Sequence, residues 1–118
     1  MKANYNKYDV VLVDFGKNVV GSEQGGIRPA VLVQNKKGNL NSTTTIVMPF
    51  STCLKRSYIP THSLFKKGKD KGLARDSMLL GECMKQISEL RIKKYLGKIT
   101  SDYERKEIKR VYDANFND

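Results

Sequence analysis

Histidine is almost missing from this chain, with His62 the only one in 118 residues. That excludes catalysis by a pair of imidazoles working as acid and base. Cysteine is nearly as scarce. Cys53 and Cys83 show no C-x-x-C spacing, so they read as two separate thiols in a reducing compartment. No cluster of Cys, His or closely spaced carboxylates has ligand spacing, which argues against a metal centre, and no other cofactor is expected. No apolar run approaches the roughly 20 residues that cross a bilayer, so no membrane partner is expected. Met1-Lys2-Ala3-Asn4-Tyr5-Asn6-Lys7 lacks a hydrophobic signal core, and the expected location is the cytoplasm. A Gly-Lys-Ser/Thr ending is also absent, so the glycines before Arg28 do not make a P-loop.

Acidic residues are few beside the basic ones. Twenty-two Lys and Arg stand against 12 Asp and Glu, a net charge of +10. A small basic domain suits a polyanion, because each phosphate contact releases counterions. The length fits one domain, residues 1–118, large enough to bury a core without disulfides.

Short β-branched runs dominate the chain. Val10–Val13, Ala30–Val33 and Thr43–Met48 read as strands, with weaker candidates at Tyr58–Phe65, Ser77–Leu80 and Met84–Ile87. Ser88, followed by Glu89, Leu90, Ile92, Tyr95 and then Gly97, predicts a short helix with an N-cap and a glycine stop. Ser101-Asp102-Tyr103-Glu104 is a capping box. Behind it Ile108, Val111, Tyr112 and Phe116 recur at helical spacing and predict one core-covering face. The expected fold is mainly β (α+β): an SH3-like small barrel with a short helix and a C-terminal helix. Lys66-Lys67-Gly68-Lys69-Asp70-Lys71-Gly72 reads as a solvated loop.

The connection from Phe15 to Ile27 is long for a small β domain. Gly16, Gly21, Gly25 and Gly26 let its backbone approach a ligand closely. Ser22, Glu23 and Gln24 offer donors and acceptors suited to base edges. Arg28 follows at once, on the stiffening strand, where a guanidinium can grip a phosphate with two bonds. Alone, this set supports metal-free phosphoryl chemistry only weakly.

The stretch Val20-Gly21-Ser22-Glu23-Gln24-Gly25-Gly26-Ile27-Arg28-Pro29-Ala30-Val31-Leu32-Val33-Gln34-Asn35 resembles the MazF/PemK family of toxin endoribonucleases, the mRNA interferases. So do Asp9–Asp14, Gly38-Asn39, Thr45-Ile46-Val47, Pro60-Thr61-His62 and Arg75-Asp76-Ser77 with Glu82, in order along nearly the whole chain. The resemblance implies a homodimer that cleaves single-stranded RNA at short sequences without a metal, and so blocks translation. It also implies an acidic antitoxin protein as partner. The family's catalytic arginine falls on Arg28. Its catalytic hydroxyl, commonly threonine, falls on Ser51, counted back without gaps from Pro60-Thr61-His62; the neighbour Thr52 points to the opposite face. Ser22, Glu23, Gln24, Thr61, His62 and Glu82 resemble residues that line the RNA groove, and His62 reads as an RNA contact. Three positions depart from the pattern: Tyr8, where many relatives have glycine, and Cys83 and Lys85, where relatives often carry Gln and Arg. Two other readings stay open at this point. One is a non-enzymatic toxin on the same barrel, like the gyrase poisons. The other is a catalytically silent RNA-binding domain.

Overall fold

The computed structural model describes residues 4–17 and 25–117. Among these the order is β1 (Asp9–Asp14), β2 (Ile27–Leu32), α1 (Lys36–Asn41), β3 (Thr44–Ser51), β4 (His62–Phe65), β5 (Ser77–Leu80), β6 (Lys85–Ser88), β7 (Ile92–Lys98) and α2 (Asp102–Ala114). Single 3-10 turns lie at Gly81–Cys83 and Glu89–Arg91. The fold is mainly β, as expected. The strands pair antiparallel in the order β4-β5-β3-β2-β1-β7, with β6 beside β3 off that path. This pairing path is open, ending at β4 and β7.

Period-two alternation divides the sheet's apolar residues between two clusters. Val10, Val31, Met48 and Phe50 face one cluster, which Ile108 and Val111 of α2 help to cover. Val11, Val13, Ala30, Leu32, Val47 and Ile87 form the other. β1 is apolar at four consecutive positions because both its faces are covered.

The longest strand, β3, organises the sheet. Its first half pairs with β6 from Thr44–Ser88 to Val47–Lys85. Its end pairs with β5 through Phe50–Leu79 and Ser51–Met78, and its other edge pairs with β2. Ser51 therefore sits where β3 leaves the sheet. Asn39 of α1 anchors this strand from beside it, accepting from Thr45 Oγ1 at 2.7 Å.

The helix expected after Ser88 is corrected by the structure. Ser88 does cap, its Oγ accepting from the Leu90 amide at 3.2 Å, but only one 3-10 turn follows. The chain then extends as β7 along the edge of β1, from Val13–Ile92 to Asp9–Lys98. Pairing with β1 outweighs the weak helical periodicity. Gly97 is a site of close approach, not a helix stop. A Cβ there would collide with Asp70 O and the Gly72 nitrogen, where the lysine-rich loop folds against the strand.

Two further expectations change. In Tyr58–Phe65 only His62–Phe65 is strand. Arg56 adopts a left-handed φ of 62°, and the Ile59 and His62 amides donate back to Arg56 O and Ile59 O, which turns the chain instead. In α2, Ile108 and Val111 are buried, but Tyr112 and Phe116 are exposed and rest on each other, ring centroids 5.4 Å apart. Phe116 lies beyond the helix end, so helical spacing no longer aims it at the core. The cap of α2 is as expected, with Ser101 Oγ accepting from the Glu104 amide at 3.2 Å. No described helix is long and apolar enough to cross a membrane.

Candidate functional site

Arg28 lies on β2, opposite Val13 of β1. Its Nε donates to Gly25 O at 3.1 Å, which leaves the outer guanidinium nitrogens for another acceptor. The loop before it is closed at its base. The Phe15 amide donates to Gly26 O at 2.9 Å, and the Gly26 amide to Gly16 O at 2.8 Å. Gly16 and Gly26 take φ of 85° and 76°, the left-handed conformations that glycine adopts at little cost. Of the expected base-reading residues, Ser22, Glu23 and Gln24 lie outside the described residues.

Ser51 ends β3, half-buried, with its Oγ accepting from the Cys53 amide at 3.1 Å. That acceptor role leaves its hydroxyl proton to be donated elsewhere. The β2–β3 ladder runs Leu32–Val47, Val31–Met48, Ala30–Pro49. The paired ladder ends there; continued two residues further, the same register would set Arg28 across from Ser51. Both then share the strand face of Ala30 and Val47. Thr52 falls after the strand and is exposed.

Thr61, His62 and Glu82 form one polar cluster. Thr61 Oγ1 donates to Glu82 Oε2 at 2.7 Å. His62 Nε2 stands 2.9 Å from Glu82 Oε1 and 2.8 Å from Oε2. His62 Nδ1 donates to Arg56 O at 2.9 Å. Both imidazole nitrogens thus have partners within the protein, and the His62 side chain is only 10% exposed against 40% for Glu82. Sequence reasoning brought these three residues to one site, and the structure joins them directly.

A cleft of about 470 Å³ gathers Ser51, His62 and Glu82 with Cys53, Lys55, Arg56 and Cys83. Arg28 is not in its lining; it lies on β2, the strand beside β3. A second cavity, among Tyr8, Val33, Ile108 and Tyr112, holds none of the candidate residues. No group of three His, Cys, Asp or Glu among the described residues could hold a metal ion.

Helix α2 supports the cluster from behind. Arg110 donates through Nη1 to Pro60 O at 2.9 Å and through Nη2 to His62 O at 3.1 Å. Glu107 receives Arg110 Nε at 3.0 Å and Ser63 Oγ at 2.9 Å. The hydrogen bond from Arg110 holds the Glu107 carboxyl below its ordinary value; burial opposes this, and Ser63 adds to it. The same bond raises Arg110.

Sequence reasoning missed Lys55, Arg56 and Arg110. The adjacent cations at 55 and 56, so soon after Ser51, are the available signal for the first two. Arg110 carries only an i,i+3 pairing with Glu107, which does not reveal that it holds Pro60 and His62.

The comparisons with known proteins agree on one kind of protein. The chain is 41% identical over 107 residues to an Endoribonuclease MazF of Staphylococcus saprophyticus, covering 91% of this chain and 87% of the relative. Solved structures share the fold at low identity. MazF (form I) from Deinococcus radiodurans superposes with a TM-score of 0.73 at 16% identity, covering 93% of this chain and 91% of that one. A mycobacterial endoribonuclease in complex with its cognate antitoxin gives 0.71 at 16%, covering 91% and 89%. Residues 6–112 match the model of the PemK-like, MazF-like toxins of type II toxin–antitoxin systems, and the chain belongs to that family.

Proposed function

We propose that this chain is the toxin of a type II toxin–antitoxin system, an endoribonuclease that cuts single-stranded RNA at short sequences without a metal ion. The observation that supports the site assignment is the β2–β3 register: continued two residues past the Ala30–Pro49 pair, it would set Arg28 across from Ser51, which lines a cleft with Lys55 and Arg56. RNA supplies its own nucleophile. The 2′-oxygen bonds to the neighbouring phosphorus, the bond to the 5′-oxygen breaks, and negative charge builds on the phosphoryl oxygens. Arg28, always protonated, neutralises that charge. Ser51 orients the phosphate or assists proton transfer. Thr61, His62 and Glu82 form one wall of the RNA groove, and Ser22, Glu23 and Gln24 read bases from the loop. The protein acts in the cytoplasm as a homodimer and is silenced by an acidic antitoxin, whose charge suits the +10 of this chain.

Arg28→Ala tests the assignment. Cleavage of a single-stranded RNA should fall at least about a hundredfold, the effect of removing a principal electrostatic stabiliser. Thermal unfolding should stay within a few degrees of the unaltered protein. Full cleavage by Arg28→Ala would remove Arg28 from the mechanism.

A further inference from the structure

The segment between β3 and β4 has little to hold it by packing. Residues 52–58 are all exposed, with Leu54 at 43% and Tyr58 at 82%; only Ile59 and Thr61 are partly covered. A surface segment without apolar anchors opens easily unless polar bonds fix it. Yet it carries Lys55 and Arg56, both of which line the cleft beside Ser51.

We propose that His62 is a positioning residue: it latches the 52–61 segment to Glu82, so that Lys55 and Arg56 are held at the cleft as phosphate contacts. The geometry is specific. A main-chain carbonyl only accepts, so His62 Nδ1 must carry a proton and donate it to Arg56 O. That carbonyl also accepts from the Ile59 amide at 3.2 Å. Arg56 therefore has two bonds at the residue that takes the left-handed φ of 62°. Strained backbone of this kind persists where its surroundings over-determine it. The opposite side of the ring, Nε2, faces Glu82 on the Gly81–Cys83 turn. Glu82 is held in turn by Thr61 Oγ1, with Cys83 Sγ 3.9 Å away. Arg110 of α2 fixes the His62 carbonyl. His62, itself nearly covered, joins a mobile-prone cationic segment to the rigid body of the fold.

The role given to Lys55 and Arg56 rests on the RNA-cutting function proposed above, whereas the latch does not, and one experiment separates the two. Amide hydrogen exchange is measured by mass spectrometry on the RNA-free protein and on His62→Gln and His62→Asn. Cleavage kinetics are measured alongside. Gln reaches toward Glu82 but cannot bond Arg56 O; Asn places its amide near the Nδ1 position but cannot reach Glu82. Each variant should speed exchange in residues 56–62 at least about tenfold, with β1–β3 unchanged. KM for RNA should rise several-fold while kcat changes less, because a binding contact is loosened and the reacting groups stay. Unchanged exchange at 56–62 overturns the latch, and so does exchange accelerated across the whole sheet. If the unaltered protein cuts no RNA, the proposed function fails while the exchange pattern still decides the latch.

Discussion

Tyr8 carries a left-handed backbone, φ 75°, at a position where the resemblance led to the expectation of glycine. The departure noted in the sequence thus has a local cost, since a Cβ in this region meets its own carbonyl. The ring offsets it. Arg105 lies 4.4 Å from the ring centroid and Lys7 5.2 Å, while the Tyr8 amide donates to Leu32 O and its carbonyl accepts from the Ile99 amide. Truncation separates the two effects. Tyr8→Ala keeps the strain and loses the ring; Tyr8→Gly loses both. In urea unfolding the glycine variant should be the more stable of the two by about 1 kcal/mol, the reverse of the usual ranking. An alanine variant equal to or better than glycine would contradict a strained backbone at Tyr8. At this scale the site was legible where side chains carry it. Thr61, His62 and Glu82 were named together from the resemblance and are joined by hydrogen bonds, while the roles of Arg28 and Ser51 stay with the proposed function. Arg56 could not be read from the sequence, because what it gives His62 is a main-chain carbonyl, which no residue type announces. His62 was readable as a site residue but not as an inward-facing one, because its two partners come from residues 6 and 20 positions away.

The elements show why local patterns succeeded in some places and failed in others. α2 was readable from its cap and from Ile108 and Val111, because a helix writes its own hydrogen bonds into nearby sequence. β7 was not. Its pairing partner, β1, lies some eighty residues back, and nothing in Ile92–Lys98 reports that β1 has an open edge. Ser88 and Gly97 each had a local meaning that resembles a helix signal, and each serves a different purpose in the fold. α1 was also overlooked, although Asn35 caps it by accepting from the Gly38 amide at 2.9 Å. The role of α2 behind the site leads to a pH prediction. Glu107 is more acidic in the folded protein than its ordinary value of 4.5. Its contribution to stability is therefore present above that ordinary value, and is lost as the pH falls through the lower folded value. Between about pH 6 and about pH 3, Glu107→Gln should lose less thermal stability than the unaltered protein, followed by circular dichroism. Parallel pH profiles for the two proteins would show that the charge on Glu107 contributes nothing to folding.

For the whole molecule, the net charge of +10 and the long loop before Arg28 pointed toward a polyanion from the start. The charge could not say which polyanion, and the fold alone could not either, because one architecture hosts unrelated functions. What narrows the answer is a site within that architecture. Arg28 lies on β2 and Ser51 ends the neighbouring strand β3. A cleft beside them carries two further cations, and a helix holds its wall in place. The proposed function reads these features as catalysis on a phosphate backbone. The family is that of the PemK-like, MazF-like toxins of type II toxin–antitoxin systems. The most direct test incubates the purified protein with a long, unstructured RNA of diverse sequence, with a chelator present, and maps every new 5′ end. The account predicts discrete cuts that share one short sequence and persist without divalent ions. An RNA that is bound but stays intact, or one left neither bound nor cut, would contradict it.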